Sequence, residues 1–313
     1  MKAIRLHAFG AADQLQLQDV PTPVAGPREV LVRVVVAGVN PIDWKIRAGG
    51  IAALFGISPP VTLGWDASGI IAAVGAEVGA FKPGDAVFFF ADFAHGGTYA
   101  EYVAVDAAQV ARKPRTVSFA EAAAIPTPAQ AAWRAVFDVA NVQAGQKVLI
   151  HGGGGPLGSV AAQLARHAGA HVILTASDAS IAIARATGAD DVINYQHQDF
   201  SALVRDVDVV IDAVGGAVQE ASWGVLKKGG VLVATAVPPS PERAAAAGVR
   251  AEMLQTPPRG EVLAKIAELV DSGRLRVAVS HELALADAAQ AHRLGESGQA
   301  HGKIVLHVGL PSA

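Results

Sequence analysis

The sequence predicts an α/β protein with two regions, a partly closed antiparallel β-barrel and a doubly wound parallel sheet. Three observations carry that prediction. Residues 1–120 hold short alternating apolar runs between turn signals; from about Ser118 helix and strand patterns alternate; and Lys147–Ser177 reads as strand, glycine turn, helix and strand in succession.

In the first region, Lys2–Leu6 alternates like a strand, and Gly26-Pro27 punctuates the chain before the run Val30–Val36. Pro83-Gly84-Asp85 is a turn between strands at Ile70–Val74 and Val87–Phe90, and Tyr99–Val105 alternates again. Ser118-x-x-Glu121 is a capping box that opens an alanine-rich helical stretch, with breaks expected at Pro126 and Pro128.

The stretch Lys147–Ser177 organises the second region. Val148–Ile150 is a short apolar run bounded by glycines, as a buried parallel strand should be. Leu157, Val160, Ala161, Leu164, Ala165 and Ala168 recur at helical spacing until Gly169, and Val172–Thr175 is the second strand. Gly153, Gly155 and Gly158 form G-x-G-x-x-G at the first turn. The first glycine is expected to allow the tight turn, the second a close approach to a pyrophosphate, and the third close helix–strand packing. Pro156 suits the first helical turn, where its missing N–H has no partner to lose. Backbone N–H groups and the positive helix end make this a dinucleotide site. Beyond it we expect helices at Ile181–Ala186 and Gln219–Leu226, and strands at Asp191–Asn194, Val207–Ala213 and Gly230–Val237. After a proline-rich boundary at 255–260 come helices at Glu261–Ser272 and Leu285–Leu294 and a strand at Lys303–His307.

Composition narrows the function. The 313 residues are 51% hydrophobic and 17% charged, which is the balance of a well-buried chain and not of a disordered one. A formal net charge of −3, with Lys and Arg scattered, gives nucleic acid and anionic membrane nothing to bind. There is no run long enough for a membrane span and no signal-peptide core in MKAIRLHAFG. The absence of cysteine excludes disulfides and thiolate metal sites and fits a cytoplasmic protein. His167 and His171 are four apart, but Gly169 ends the helix between them, so they do not share a face for a metal.

Eight ordered motifs carry a family resemblance. They are GVNPIDWKIRAG (38–49), LGWDASGIIAAVG (63–75), FKPGDAVF (81–88), GGTYAEYVAV (96–105), AGQKVLIHGGGGPLG (144–158), TGADDVINY (187–195), DVVIDAVGG (208–216) and HGKIVLHV (301–308). Together they resemble the medium-chain dehydrogenase/reductase superfamily in its zinc-independent quinone oxidoreductase and alkenal/enone reductase branch. The resemblance implies a GroES-like catalytic domain (1–120 and 257–313), a Rossmann domain (121–256), and an active site in the cleft between them. It also implies a homodimer joined through the Rossmann sheet edge. Zinc members of the superfamily carry Cys where Asn40 stands and a His-Glu pair where Trp65-Asp66 stands, so no metal is expected here.

The resemblance further implies that Asn40, Asp43 and Lys45 line the cleft beside the nicotinamide. A local reading stands beside it: Asn40-Pro41 opens a turn, Asp43 caps it, and Lys45 is solvated. Quinone reductases often carry Tyr at the Lys45 position, whereas enone-reducing members carry Lys. For the cofactor, Gly153, Gly154, Gly155, Pro156, Leu157 and Gly158 form the phosphate loop, and Thr127 and Gly215 stand where the family approaches the dinucleotide. A helix break at Thr127 and a tight turn at Gly215 explain those two equally well. The second Rossmann strand ends Thr175-Ala176-Ser177 without the carboxylate expected for NAD, so Ser177 and Tyr195 favour NADP(H), although Asp178 is adjacent. The expectation is an NADPH-dependent reductase of quinones or α,β-unsaturated carbonyls. The alternatives are a catalytically silent dinucleotide-binding protein and an enoyl-thioester reductase.

Overall fold

The computed structural model describes residues 1–94 and 97–309, so that Gly96 of the 96–105 motif lies outside the described residues. In chain order the elements begin with β1 (Lys2–Leu6), β2 (Leu15–Asp19), β3 (Glu29–Val39), α1 (Pro41–Arg47), β4 (Val61–Thr62) and β5 (Asp66–Val74). They continue with β6 (Ala86–Phe90), β7 (Tyr102–Asp106), β8 (Val110–Arg112), α2 (Phe119–Ala124) and α3 (Pro126–Trp133). Next come β9 (Lys147–His151), α4 (Pro156–His167), β10 (His171–Ala176), α5 (Ile181–Ala186), β11 (Asp191–Asn194) and α6 (Phe200–Leu203). β12 (Val207–Asp212), α7 (Ala217–Ser222), β13 (Leu226–Ala234), α8 (Pro241–Ala247) and β14 (Arg250–Met253) follow. The chain closes with α9 (Gly260–Asp271), β15 (Val279–Ala284), α10 (Ala288–Glu296) and β16 (Lys303–His307). No helix among the described residues is long and apolar enough to cross a membrane.

The chain divides into two compact units, residues 1–127 with 257–273 and 277–313, and residues 128–256 with 274–276. In the first unit the main sheet runs β15-β16-β3-β5-β6-β8, with β7 also on β3, and a small sheet runs β2-β1-β4. Strand β3 shows why two burial patterns meet in it. Its first half alternates buried and half-buried residues, as a strand with one wet face does, and from Val34 onward every residue is buried. The second face of that half is covered by α2, whose Ala120, Ala123 and Ala124 pack with Val35, Val36 and Val305. The contact is close: a Cβ on Gly38 would meet the Ala123 carbonyl oxygen at 2.4 Å. The C-terminal strand β16 is antiparallel to β3 with Ile304 opposite Val39, and β3 places Gly38 opposite Asp66 of β5. These two registers bring Asn40, Asp66 and Lys303 to one place.

In the second unit six parallel strands run β11-β10-β9-β12-β13-β14. Numbered within the unit this is the order 3-2-1-4-5-6 of a doubly wound dinucleotide fold, with strand order reversing beside β9.

Several expected elements shift. The helix expected at Gln219–Leu226 is α7, Ala217–Ser222; Gly224 follows its end, and Leu226 already pairs with Val207 in the sheet. The strand expected at Gly230–Val237 therefore starts at Leu226 and ends at Ala234, level with Asp212 at the end of its partner. The helical stretch breaks at Ile125, just before Pro126, which opens α3, whereas Pro128 sits in the first turn of α3 and breaks nothing. Tyr99 lies before β7 with its ring fully buried, and the helix expected at Leu285–Leu294 begins as a short 3-10 turn before α10. Strands β2, β4, β8, β14 and β15 stand where none was expected, although in β2 Leu15 and Leu17 alternate with Gln16 and Gln18.

Candidate functional site

Asn40 is the N-cap residue of α1, and its side chain does not cap the helix. It faces Asp66 and Lys303 instead. The Asn40 Nδ2–H donates to Asp66 Oδ2 at 2.9 Å, and the Lys303 ammonium donates to Asn40 Oδ1 and, at 3.1 Å, to Asp66 Oδ2. An ammonium can only donate and a carboxylate only accept, so the orientation of the Asn40 amide is fixed by its partners. The other Asp66 oxygen accepts from the Thr127 N–H at 3.0 Å and the Thr127 hydroxyl at 2.6 Å. Asp66 is fully buried, and the Lys303 and Asn40 side chains are nearly so.

Asp43 is buried beside them. Its Oδ2 accepts the Asn40 N–H at 2.8 Å and the Tyr99 hydroxyl at 2.7 Å, while its Oδ1 has no partner among the described residues. Burial pushes the Asp43 carboxyl up to about 7, against the opposing pull of the Tyr99 and Asn40 hydrogen bonds. Tyr99 also lies 3.3 Å from His292 Nε2, and burial holds the His292 imidazole down at about 3. With no exposed surface, Asp43 acts on its neighbours: it fixes the backbone at Asn40 and the Tyr99 ring. Lys45 is apart from this set. It is exposed in the last turn of α1, with no ion pair or hydrogen bond among the described residues.

Thus the structure joins Asn40 and Thr127 through Asp66, ties Asp43 to the Asn40 backbone, leaves Lys45 in solvent, and adds Lys303, which the sequence reading placed merely at the start of a strand. A lysine opening an apolar strand was the available signal, but its partner stands at position 40 of the same chain.

Zinc does not fit these donors. The ammonium already engages both Asn40 and Asp66, and Trp65 is a core side chain, 1% exposed and 5.0 Å from the Phe93 ring. Among the described residues no group of three or more His, Cys, Asp or Glu is placed to hold a metal ion.

The glycine loop between β9 and α4 fits a dinucleotide. The left-handed turn residue is Gly152, at φ 77°, and not Gly153, the first glycine of the motif. A Cβ on Gly153 would meet the Leu174 side chain at 2.8 Å, one on Gly154 the Ser180 Cβ at 2.3 Å, and one on Gly158 the Gly152 oxygen at 2.3 Å. Gly155 is the N-cap and Pro156 the first residue of α4. Ser159 N–H already donates to the Gly155 oxygen and Pro156 has no N–H, so helix geometry leaves those of Leu157 and Gly158 for an anion.

At the end of β10 the Ser177 hydroxyl lies 3.0 Å from that of Ser180. Asp178 turns its carboxylate to the neighbouring strand end, 2.5 Å from Asn194 Nδ2 and 3.0 Å from His197 Nε2. The Asn194 hydrogen bond, then that of His197, holds the Asp178 carboxyl below the usual range. Tyr195 follows β11 and is 56% exposed. Gly215, at φ 80°, donates its N–H to Asp212 Oδ1 at 2.9 Å, which is the tight-turn geometry that the sequence allowed.

Comparison with known proteins gives the family. The chain matches the alcohol dehydrogenase GroES-like domain over residues 26–115 and the family described as zinc-binding dehydrogenase over 187–306. It is 33% identical to the 2-methylene-furan-3-one reductase of Solanum lycopersicum over 98% of this chain and 79% of that protein. The quinone oxidoreductase from Coxiella burnetii superposes with a TM-score of 0.91 at 36% identity, covering 99% of both chains. The Escherichia coli quinone oxidoreductase complexed with NADPH superposes with a TM-score of 0.88 at 26% identity, over 98% of this chain and 100% of that one. The chain therefore belongs to the quinone oxidoreductase branch of the medium-chain dehydrogenase/reductase superfamily, and it is an oxidoreductase.

Proposed function

We propose that the protein reduces quinones or α,β-unsaturated carbonyls with NADPH and without zinc. The observation that carries the reading is the Asn40 amide, held in an apolar interior by Asp66 and Lys303, where a metal-dependent relative would need free donors. The similarity to a furanone reductase and to quinone reductases, one of them complexed with NADPH, supports the substrate class and the cofactor.

The Leu157 and Gly158 N–H groups would hold the cofactor diphosphate, and the Ser177 hydroxyl and Tyr195 its adenosine end. When bound, NADPH supplies a hydride. The hydride would go to the acceptor's electrophilic carbon, and a proton from water would complete the two-electron reduction. Negative charge grows on the acceptor oxygen as the hydride arrives. One Asn40 Nδ2–H is spent on Asp66, and the other donates to that oxygen; a fixed donor in a dry site needs no reorganisation at that moment. Lys45, exposed on α1 and apart from this set, takes no part in the step. Asp43 holds the Asn40 backbone, so that the amide does not drift from its donor position.

The test follows NADPH absorbance against a panel of quinones, enones and enoyl-thioesters, with and without chelator. The reading expects turnover of quinones or enones that chelator leaves unchanged. NADPH binding without turnover of any acceptor would mark a silent binding protein, and turnover of enoyl-thioesters alone would mark a different reductase.

A further inference from the structure

Lys303 has no place in the reaction as described so far. It is 3% exposed, lies 263 residues from Asn40 in the chain, and meets it through the antiparallel register of β16 on β3. A buried ammonium costs several kcal/mol of desolvation unless its hydrogen bonds are well met, so its retention in an apolar strand calls for a use.

The Asn40 amide supplies one. Its oxygen receives the ammonium and one of its two N–H groups is spent on Asp66. Positive charge on an amide oxygen draws electron density from the nitrogen, which makes the remaining N–H a stronger donor; hydrogen bonds in series polarise one another in this way. We propose that Lys303 is a positioning residue, whose buried ammonium fixes the Asn40 amide and polarises it toward the acceptor oxygen. Asp66 balances the charge and fixes the amide from its other end, and Thr127, with two bonds to the second Asp66 oxygen, fixes Asp66. The inference rests on the reading of Asn40 as the donor to substrate. It also accounts for a chain that matches a zinc-binding family without a free donor set: the cation is part of the polypeptide.

The test compares Asn40→Ala, Lys303→Met and the charge-neutral pair Lys303→Met/Asp66→Asn. Lys303→Met alone strands a buried carboxylate and is expected to melt early, so the pair carries the decision. The pair should bind NADPH within about twofold of the native Kd by fluorescence titration, yet turn over an enone with kcat lowered about 10²-fold. Adding the pair to Asn40→Ala should cost little more, because both act through one amide. A folded pair variant with native kcat, beside an Asn40→Ala variant that has lost it, would overturn the inference and leave the proposed function standing. Native kcat in Asn40→Ala would overturn both. If the pair fails to fold, Lys303→Ala decides when it is purified and assayed in ethylammonium, which takes the position of the lost cation beside Asp66: kcat should rise saturably with the amine. Ethylammonium that raises the melting temperature without restoring kcat would reduce Lys303 to a structural cation and overturn the proposal.

Discussion

Asp66 and Asp178 make the same kind of contact in different surroundings. Each is paired with an asparagine amide and with a basic side chain, Asp66 with Asn40 and Lys303, Asp178 with Asn194 and His197. Asp66 and Lys303 are 0% and 3% exposed, whereas Asp178 and His197 are 59% and 65% exposed. Water screens the second pair and competes for each of its hydrogen bonds, so it adds little to stability and is free to respond to a ligand. The first pair has no such substitute. Buried polar groups that are fully partnered hold one geometry, and a catalytic donor needs that property.

The sharpest way to break the comparison is to remove one cation from each pair. Lys303→Met should cost about 3–5 kcal/mol of folding stability in denaturant titration, because Asp66 is left charged and dry. His197→Ala should leave the melting temperature unchanged. Equal losses in the two variants would mean that burial is not what separates them.

A second prediction uses pH. His151 ends β9 fully buried, 3.0 Å from both the Thr175 and Ser222 hydroxyls, and desolvation holds its imidazole down at about 4. Ser222 donates its own proton to the Val218 oxygen, so it accepts from His151 Nε2–H and Thr175 donates to Nδ1. The unfolded chain takes up the proton near pH 6.5 and the folded one only near 4. The stability due to neutral His151 is therefore present above 6.5 and lost as pH falls to 4, about 3 kcal/mol in all. In His151→Gln that loss should disappear from the same window. Asp43 works in the opposite direction: its raised pKa gives stability below about 3.8 that is lost as pH rises to about 7, and Asp43→Asn should remove that slope.

Smaller effects are expected in the phosphate loop. Gly158→Ala sets a methyl group against the Gly152 oxygen and should cost about 1–3 kcal/mol of stability, together with NADPH affinity. The smallest effect concerns cofactor choice. NADPH should bind at least ~10-fold more tightly than NADH, or about 1.4 kcal/mol, and Asp178→Asn should widen the ratio by removing a charge near the 2′-phosphate. Equal affinity of the native protein for the two cofactors would contradict the reading of Ser177.

What was legible in the sequence follows from the range of the interactions. The unit from Lys147 to Ser177 could be read because periodicity, capping and glycine punctuation are local, and β9, α4 and β10 form where these signals stand. Asp43 could be read as a cap for the same reason. Strands β14 (Arg250–Met253) and β15 (Val279–Ala284) are mixed in polarity and lie at sheet edges, so neither alternation nor an apolar run announced them. The α7 helix was read too long because Leu226 continues its apolar pattern, while pairing with Val207 claims that residue for the sheet. The partnership of Lys303 with Asn40 exists only in the register of two strands far apart in sequence, and no local pattern contains it.

The central claim is direct hydride transfer from NADPH to an acceptor carbon in a site that uses Asn40 and no metal. NADPH carrying deuterium at its transferring position should be mixed with chelator-treated protein and an enone, and the product examined by mass spectrometry and NMR. The account predicts one deuterium on the carbon β to the carbonyl, at a rate that chelator does not change and that Asn40→Ala slows about 10²-fold. Product without deuterium at that carbon, or formed only when zinc is restored, would contradict it.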